Sequence, residues 1–198
     1  NSCTVTGKAD QECRRLARQV KRRHPEARVV VAGCYAQTQP QALAGVAEID
    51  AVLGNTTKDA VAQWLPAVMA RPARGGAEED DPEAVVMVDA FPRRPGFDAP
   101  AIDEFTGRSR AFVKVQDGCD LRCAYCLIWQ ARGPARSRPP ASVLDQVSRL
   151  HVGGGYRELI LTGVHLGRWG GDLPGQPGLT DLVASVTDAF PDLRLRLS

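Results

Sequence analysis

Arg110–Cys126 reads RAFVKVQDGCDLRCAYC. Arg110–Val115 reads as a strand, and the short turn QDG carries the chain from it into three cysteines, Cys119, Cys123 and Cys126. Their spacing is Cys-x3-Cys-x2-Cys, half of the chain's six cysteines within eight residues. A loop leaving a strand at its C-terminal end lies on the rim where parallel α/β folds build their sites. Three thiolates on one loop can converge on one centre. A structural zinc takes four protein ligands; the fourth would have to come from a distant group such as His151 or His165, with no finger-like spacing. Iron–sulfur clusters also normally take four cysteines. If only three are present, one iron is left open, and an open iron is a place for a substrate or cofactor to bind.

On either side of this loop the chain alternates β and α. After the loop come a helix over Ala141–Val152, introduced by Pro139 and Pro140, a strand over Arg157–Gly163, a helix over Leu179–Ala189 and the strand LRLRLS at 193–198. Before it, residues 8–23 place Cys13, Leu16, Ala17 and Val20 on one helix face, with Arg14, Arg15, Arg18, Lys21 and Arg22 opposite. A strand over Arg28–Cys34, a short helix after Pro40, a strand over Ile49–Gly54 and a helix over Thr57–Met69 follow. Alternation of this kind predicts parallel sheets with helices packed on them. Residues 70–107 change character: they are rich in Pro, Gly and acid, include the run EEDDPE at 78–83, and carry one strand-like piece, AVVMVD at 84–89. The expected organisation is an N-terminal α/β domain over 1–69, a linker over 70–107 and a second α/β unit over 108–198. A full (β/α)₈ barrel needs about 250 residues, so the second unit supplies the first part of a barrel. The chain opens on Asn1 and closes inside a strand, and it is expected to be a fragment of something longer.

The 198 residues are 43% hydrophobic and 24% charged, an ordinary globular composition with a net charge of +2. No apolar run reaches membrane-spanning length and no secretory signal opens the chain, so a cytoplasmic protein without a membrane partner is expected. The cysteine cluster then reads as metal or cluster ligation rather than a disulfide framework. Charge is segregated: Gly107–Arg138 holds seven basic residues against Asp117 and Asp120. The basic face of the first helix is either solvated or a phosphate-contacting surface for RNA. Arg132, Arg136 and Arg138 carry the same two readings. Cys13, on an apolar stripe, reads as a buried small hydrophobe rather than a ligand.

The cysteine spacing after the first strand of an α/β unit resembles the radical S-adenosylmethionine signature. There three cysteines hold a 4Fe-4S cluster, and S-adenosylmethionine chelates the fourth iron and is split to a 5′-deoxyadenosyl radical. NSCTVTGKAD (1–10), VVVAGCYAQTQP (29–40), RAFVKVQDGCDLRCAYC (110–126), ARGPARSR (131–138) and LILTGVHLG (159–167) together resemble the methylthiotransferases of that superfamily. LTGVHLG and GCYAQ most resemble the branch that thiomethylates threonylcarbamoyladenosine beside the tRNA anticodon. Other branches act on isopentenyladenosine or on a ribosomal protein. A zinc-containing RNA-binding module without chemistry is the contrasting class.

The resemblance implies an α/β fold: an N-terminal methylthiotransferase domain followed by the first part of a radical S-adenosylmethionine partial barrel. It implies two 4Fe-4S clusters, S-adenosylmethionine, a tRNA substrate and an electron donor such as flavodoxin or ferredoxin. Cys119, Cys123 and Cys126 match the radical-cluster ligands, and Tyr125 the aromatic residue that lies against adenine. Thr162, Gly163 and His165 match the strand end that contacts the methionine part of the cofactor, and Arg132 the Arg-Gly step near substrate or cofactor. Cys3 and Cys34 match two of three ligands of the auxiliary cluster; the family's first cysteine lies upstream of Asn1. Where the family usually shows Pro-Tyr, this chain has Trp129 and Gln130.

Overall fold

The structure, a computed structural model, describes residues 1–4, 6–75, 82–92, 96–97 and 100–198. Most of the acidic run at 78–83 lies outside the described residues. The chain packs as two units: Asn1–Phe91 with Arg122–Gly133, and Pro92–Leu121 with Pro134–Ser198.

In the first unit, α1 (Gly7–Arg23) starts where the Thr6 side chain accepts the Ala9 N–H at 3.2 Å. It ends on Lys21, Arg22 and Arg23, cations that suit the negative end of the helix dipole. There follow β1 (Val30–Ala32), α2 (Cys34–Thr38), α3 (Pro40–Ala44), β2 (Ala51–Leu53), α4 (Val61–Met69) and β3 (Val85–Met87); the returning segment adds α5 (Ile128–Arg132). The sheet is parallel in the order β1-β2-β3, with Val31 opposite Val52 and Val52 opposite Val86. β2 is buried throughout, as a central parallel strand must be when both its faces are covered. Ala17, Val31, Tyr35, Leu43, Ile49 and Val52 form the core. β3 comes from within the segment expected to be a linker.

Two expectations for α1 change. Lys21, placed on the basic face by periodicity, is 6% exposed and pairs at 3.0 Å with the buried Asp50. Asp50 also accepts the backbone N–H of Val29 and of Arg74 at 2.6 and 2.7 Å, so the pair is a structural tie. Arg14 donates to the Tyr35 hydroxyl, Arg15 pairs with Glu12, and Arg18 lies 3.8 Å from Glu48. On the apolar stripe, Ala17 is buried, while Leu16 and Val20 are 48% and 40% exposed and line a groove beside β1.

The second unit has β4 (Ala111–Asp117), β5 (Arg136–Ser137), α6 (Pro140–Ser148), β6 (Glu158–Gly163), α7 (Leu179–Ala189) and β7 (Arg194–Leu197). A wider π turn, Arg149–Gly153, extends α6, and a 3₁₀ turn, Leu166–Arg168, follows β6. The order is β5-β4-β6-β7, with β4, β6 and β7 parallel and β5 antiparallel to β4. Val113, Val115, Val147, Leu150, Leu159, Leu161, Leu182 and Val186 build its core. Part of the expected linker is tied down here: Ile102 exchanges hydrogen bonds with Gln146, and the Phe105 N–H donates to the Tyr156 hydroxyl at 2.7 Å. Among the described residues no helix is long and apolar enough to cross a membrane.

Candidate functional site

The end of β4 is a polar construction inside an apolar sheet. Gln116 and Asp117 are 1% and 2% exposed. The Asp117 carboxylate accepts from Lys114 at 2.5 Å, from Arg136 at 2.9 Å and from the Gly118 N–H at 2.9 Å. A buried carboxylate needs such donors. Gln116 donates to the carbonyls of Asp117 and Gly118 and accepts the His165 N–H at 2.7 Å. One amide therefore joins the turn before Cys119 to the turn after β6. A side-chain carbon at Gly163 would meet Gln116 Cβ and Leu166 Cδ2 at 2.9 Å each, so the close approach of the two strand ends requires glycine.

Thr162, Gly163 and His165 thus lie at the end of β6, beside the strand whose end leads to Cys119. A cavity of about 450 Å³ opens in this unit, lined by Asp120, Ala135, Arg168, Trp169, Asp172 and neighbouring glycines. Asp172 accepts the Ser137 N–H at 2.9 Å, and Asp120 accepts the Ala135 N–H at 3.2 Å. Arg136 and Arg138, read as solvated or phosphate-binding, are used internally. Arg136 serves Asp117; Arg138 is 6% exposed and donates to Ser142 at 2.9 Å. Burial pushes the Arg138 guanidinium below its ordinary value.

Cys123, Tyr125, Cys126 and Arg132 belong to the other unit, with Cys3 and Cys34. The division between units therefore runs through the three-cysteine loop, leaving Cys119 with β4. The Cys126 N–H donates to the Cys123 carbonyl at 3.0 Å, a turn that closes the last two cysteines. Between the first two, Arg122 sits at φ +46°, in the left-handed region that L side chains seldom adopt. Its guanidinium lies 5.4 Å from the centre of the Trp129 ring, a cation–π contact that uses the residue standing in place of the family's usual Pro-Tyr. Tyr125 is 91% exposed. Arg132 ends α5, half-buried.

At the other pair, Ser2 bridges Gly33 in parallel, so Cys3 and Cys34 follow from adjacent positions at the C-terminal end of β1. Gly33 has φ +113°, and a side-chain carbon there would run into Asn1 Oδ1 and meet the Ser2 carbonyl at 2.7 Å. Cys34 begins α2; the strand expected to run through it ends two residues earlier, at Ala32. Asn55, in the turn after β2, donates to Cys34 Sγ at 3.5 Å and to the Ala131 carbonyl at 2.7 Å. Asn55 and Gln116 were not singled out from the sequence. Their signal was positional, since each lies at or just beyond the C-terminal end of a parallel strand.

All six cysteines are free thiols; Cys3 is exposed and the others are half-buried. Burial raises the Cys13 thiol above its ordinary value. Among the described residues no group of three or more His, Cys, Asp or Glu side chains is gathered to hold a metal ion. A four-iron cube takes each thiolate at a separate iron, and soft thiolates are the donors such clusters use, so the chemistry of the donor set fits.

Residues 1–54 match Uncharacterized protein family UPF0004, and residues 113–194 match the Radical SAM superfamily. A threonylcarbamoyladenosine tRNA methylthiotransferase MtaB from Rickettsia prowazekii is 32% identical over 100% of this chain and 44% of its own length. A ribosomal protein uS12 methylthiotransferase RimO from Chloroflexus aurantiacus is 31% identical over 96% of this chain and 43% of its own. The radical S-adenosylmethionine methyltransferase TsrM from Kitasatospora setae, solved with tryptophan and a SAM analogue bound, shares the fold. Its TM-score is 0.60 at 19% identity, over 93% of this chain and 39% of that one. The α/β fold and the cysteine loop at the end of β4 are thus those of the radical S-adenosylmethionine superfamily. Within it, the chain belongs to the methylthiotransferase family. It spans 36% to 44% of the length of the first curated relatives it matches.

Proposed function

We propose that this chain is part of an enzyme that adds a methylthio group to C2 of N6-threonylcarbamoyladenosine in tRNA. The observation that carries this reading is the similarity, across the entire chain, to a threonylcarbamoyladenosine tRNA methylthiotransferase. Domain 108–198 carries the start of the radical barrel, and domain 1–69 the auxiliary centre.

Cys119, Cys123 and Cys126 hold the radical 4Fe-4S cluster, and Cys3 and Cys34 contribute to a second. Bound there, cluster and S-adenosylmethionine supply a radical able to activate a C–H bond that offers no acidic proton to ordinary base catalysis. The chain's own residues do the holding. The hydrogen bonds around Asp117 and Gln116 fix the turn that presents Cys119 and support the glycine step at Gly163. Thr162, Gly163 and His165 line the cofactor's methionine end, and Tyr125 has a face free to cover its adenine. Arg132 stands near substrate or cofactor, tRNA is the macromolecular partner, and a flavodoxin or ferredoxin delivers the electron.

The test has two parts, both anaerobic and with iron and sulfide supplied. Cys119→Ala should abolish cleavage of S-adenosylmethionine to 5′-deoxyadenosine, because two thiolates do not hold the cluster; undiminished cleavage would overturn the site. Mass spectrometry of tRNA treated with the protein should then find the methylthio group on threonylcarbamoyladenosine. Its appearance on isopentenyladenosine, or on a ribosomal protein instead, would overturn the substrate.

A further inference from the structure

Asn55 has no assigned role, yet it makes two contacts that few side chains could make together. It follows β2, in a turn where the Thr57 hydroxyl donates to the Met87 carbonyl at 2.6 Å and the Lys58 N–H donates to the Gly54 carbonyl at 3.0 Å. The turn is therefore pinned from both sides, and the side chain is aimed rather than floppy. Its amide orientation is dictated by chemistry. The Ala131 carbonyl, 2.7 Å away, can only accept, so the NH₂ group must face it and not the oxygen. The same nitrogen lies 3.5 Å from Cys34 Sγ. An amide NH₂ has two hydrogens, one for each acceptor. Asn55 Oδ1 is buried and finds no donor among the described residues, so within them the amide is held by its nitrogen.

We propose that Asn55 is a positioning residue that donates one hydrogen to the Cys34 sulfur and the other to the Ala131 carbonyl. It thereby sets the electron affinity of the centre on Cys34 and docks α5, the helix that follows the radical-loop cysteines. A hydrogen bond to a ligating sulfur favours the more negative, reduced form and raises the reduction potential. Removing it should shift the potential of that centre to more negative values. The second hydrogen links the same residue to a segment 76 positions further along the chain. This inference rests on the proposed role of Cys34 as a cluster ligand.

The resemblance implies a third auxiliary ligand upstream of Asn1, so the experiment uses the full-length protein, reconstituted anaerobically with iron and sulfide, with Cys119, Cys123 and Cys126 all changed to Ala so that only the auxiliary centre gives a signal. Adding Cys34→Ala comes first. If iron content does not fall, the ligand assignment fails, independently of Asn55. If it falls, redox titration followed by electron paramagnetic resonance compares Asn55→Leu with Thr57→Val, which loosens the same turn without touching the sulfur. Support requires a negative shift for Asn55→Leu, none for Thr57→Val, and faster amide exchange at Ala131–Gly133 in the Asn55 variant only. An unchanged potential in Asn55→Leu, or an equal shift in Thr57→Val, overturns the proposal. Should Asn55→Leu fail to fold, Asn55→Asp takes its place. A carboxylate facing the sulfur must lower the potential, and an unchanged value again overturns the idea.

Discussion

Cys13 and Cys3 are both free thiols near the start of the chain, but their surroundings separate them. Cys13 packs partly against the core of the first unit, and burial pushes its thiol above the ordinary range, so little thiolate exists near neutral pH. Cys3 is exposed. Alkylation of the apo protein at pH 8, mapped by mass spectrometry, should therefore modify Cys3 before Cys13, and the Cys13 rate should rise as pH increases. Cys13→Ala should also keep its full complement of iron; loss of iron would make Cys13 a ligand. At this scale the Cys-x3-Cys-x2-Cys motif was legible because its spacing is local, and it falls within the residues that match the Radical SAM superfamily. Lys21 was not: helical periodicity set it among the arginines, and only the fold brings the distant Asp50 to it. Asn55 was hidden for the same reason, since its partners lie 21 and 76 positions away.

β4 was legible as a strand from its residues, and its last two positions were not. Gln116 and Asp117 read as a polar turn, yet both extend the strand and are buried, because Asp117 finds Arg136 on β5 and Gln116 finds the turn after β6. β5 itself is two residues long, too short for any periodicity to register. The helix over Ala141–Val152 ends as a π turn, which hydrophobic spacing does not distinguish from continued helix. Asp117 is the test of this element. Asp117→Ala leaves Arg136, itself largely buried, and Lys114 without their carboxylate, and removing one partner of a buried ion pair costs on the order of 3 kcal/mol. Urea denaturation of the apo protein should show that loss; a change within ~0.5 kcal/mol would mean the network is relaxed by solvent.

Each unit has its own hydrophobic cluster, and Leu43 is fully buried in the first. Leu43→Ala should cost about 2–5 kcal/mol, the range for truncating a buried leucine. Amide exchange should quicken at Val31 and Val52, while Val113, Leu159 and Leu161, in the other cluster, keep their protection. Equal loss of protection in both would show that the two cores melt as one. The alternation of strands and helices made both α/β units readable, but not that Arg122–Gly133 returns to the first one. That return bears on how the protein is made. A ribosome delivers the chain from its N-terminus at about 5–20 residues per second. The first unit's sheet is complete in sequence at Met87, but the amide of Asn55 must wait for Ala131 to leave the exit tunnel. During that interval α2, which begins at Cys34, lacks the helix that packs against it, so a cluster held by Cys34 as proposed above would have a loading window that closes when α5 arrives.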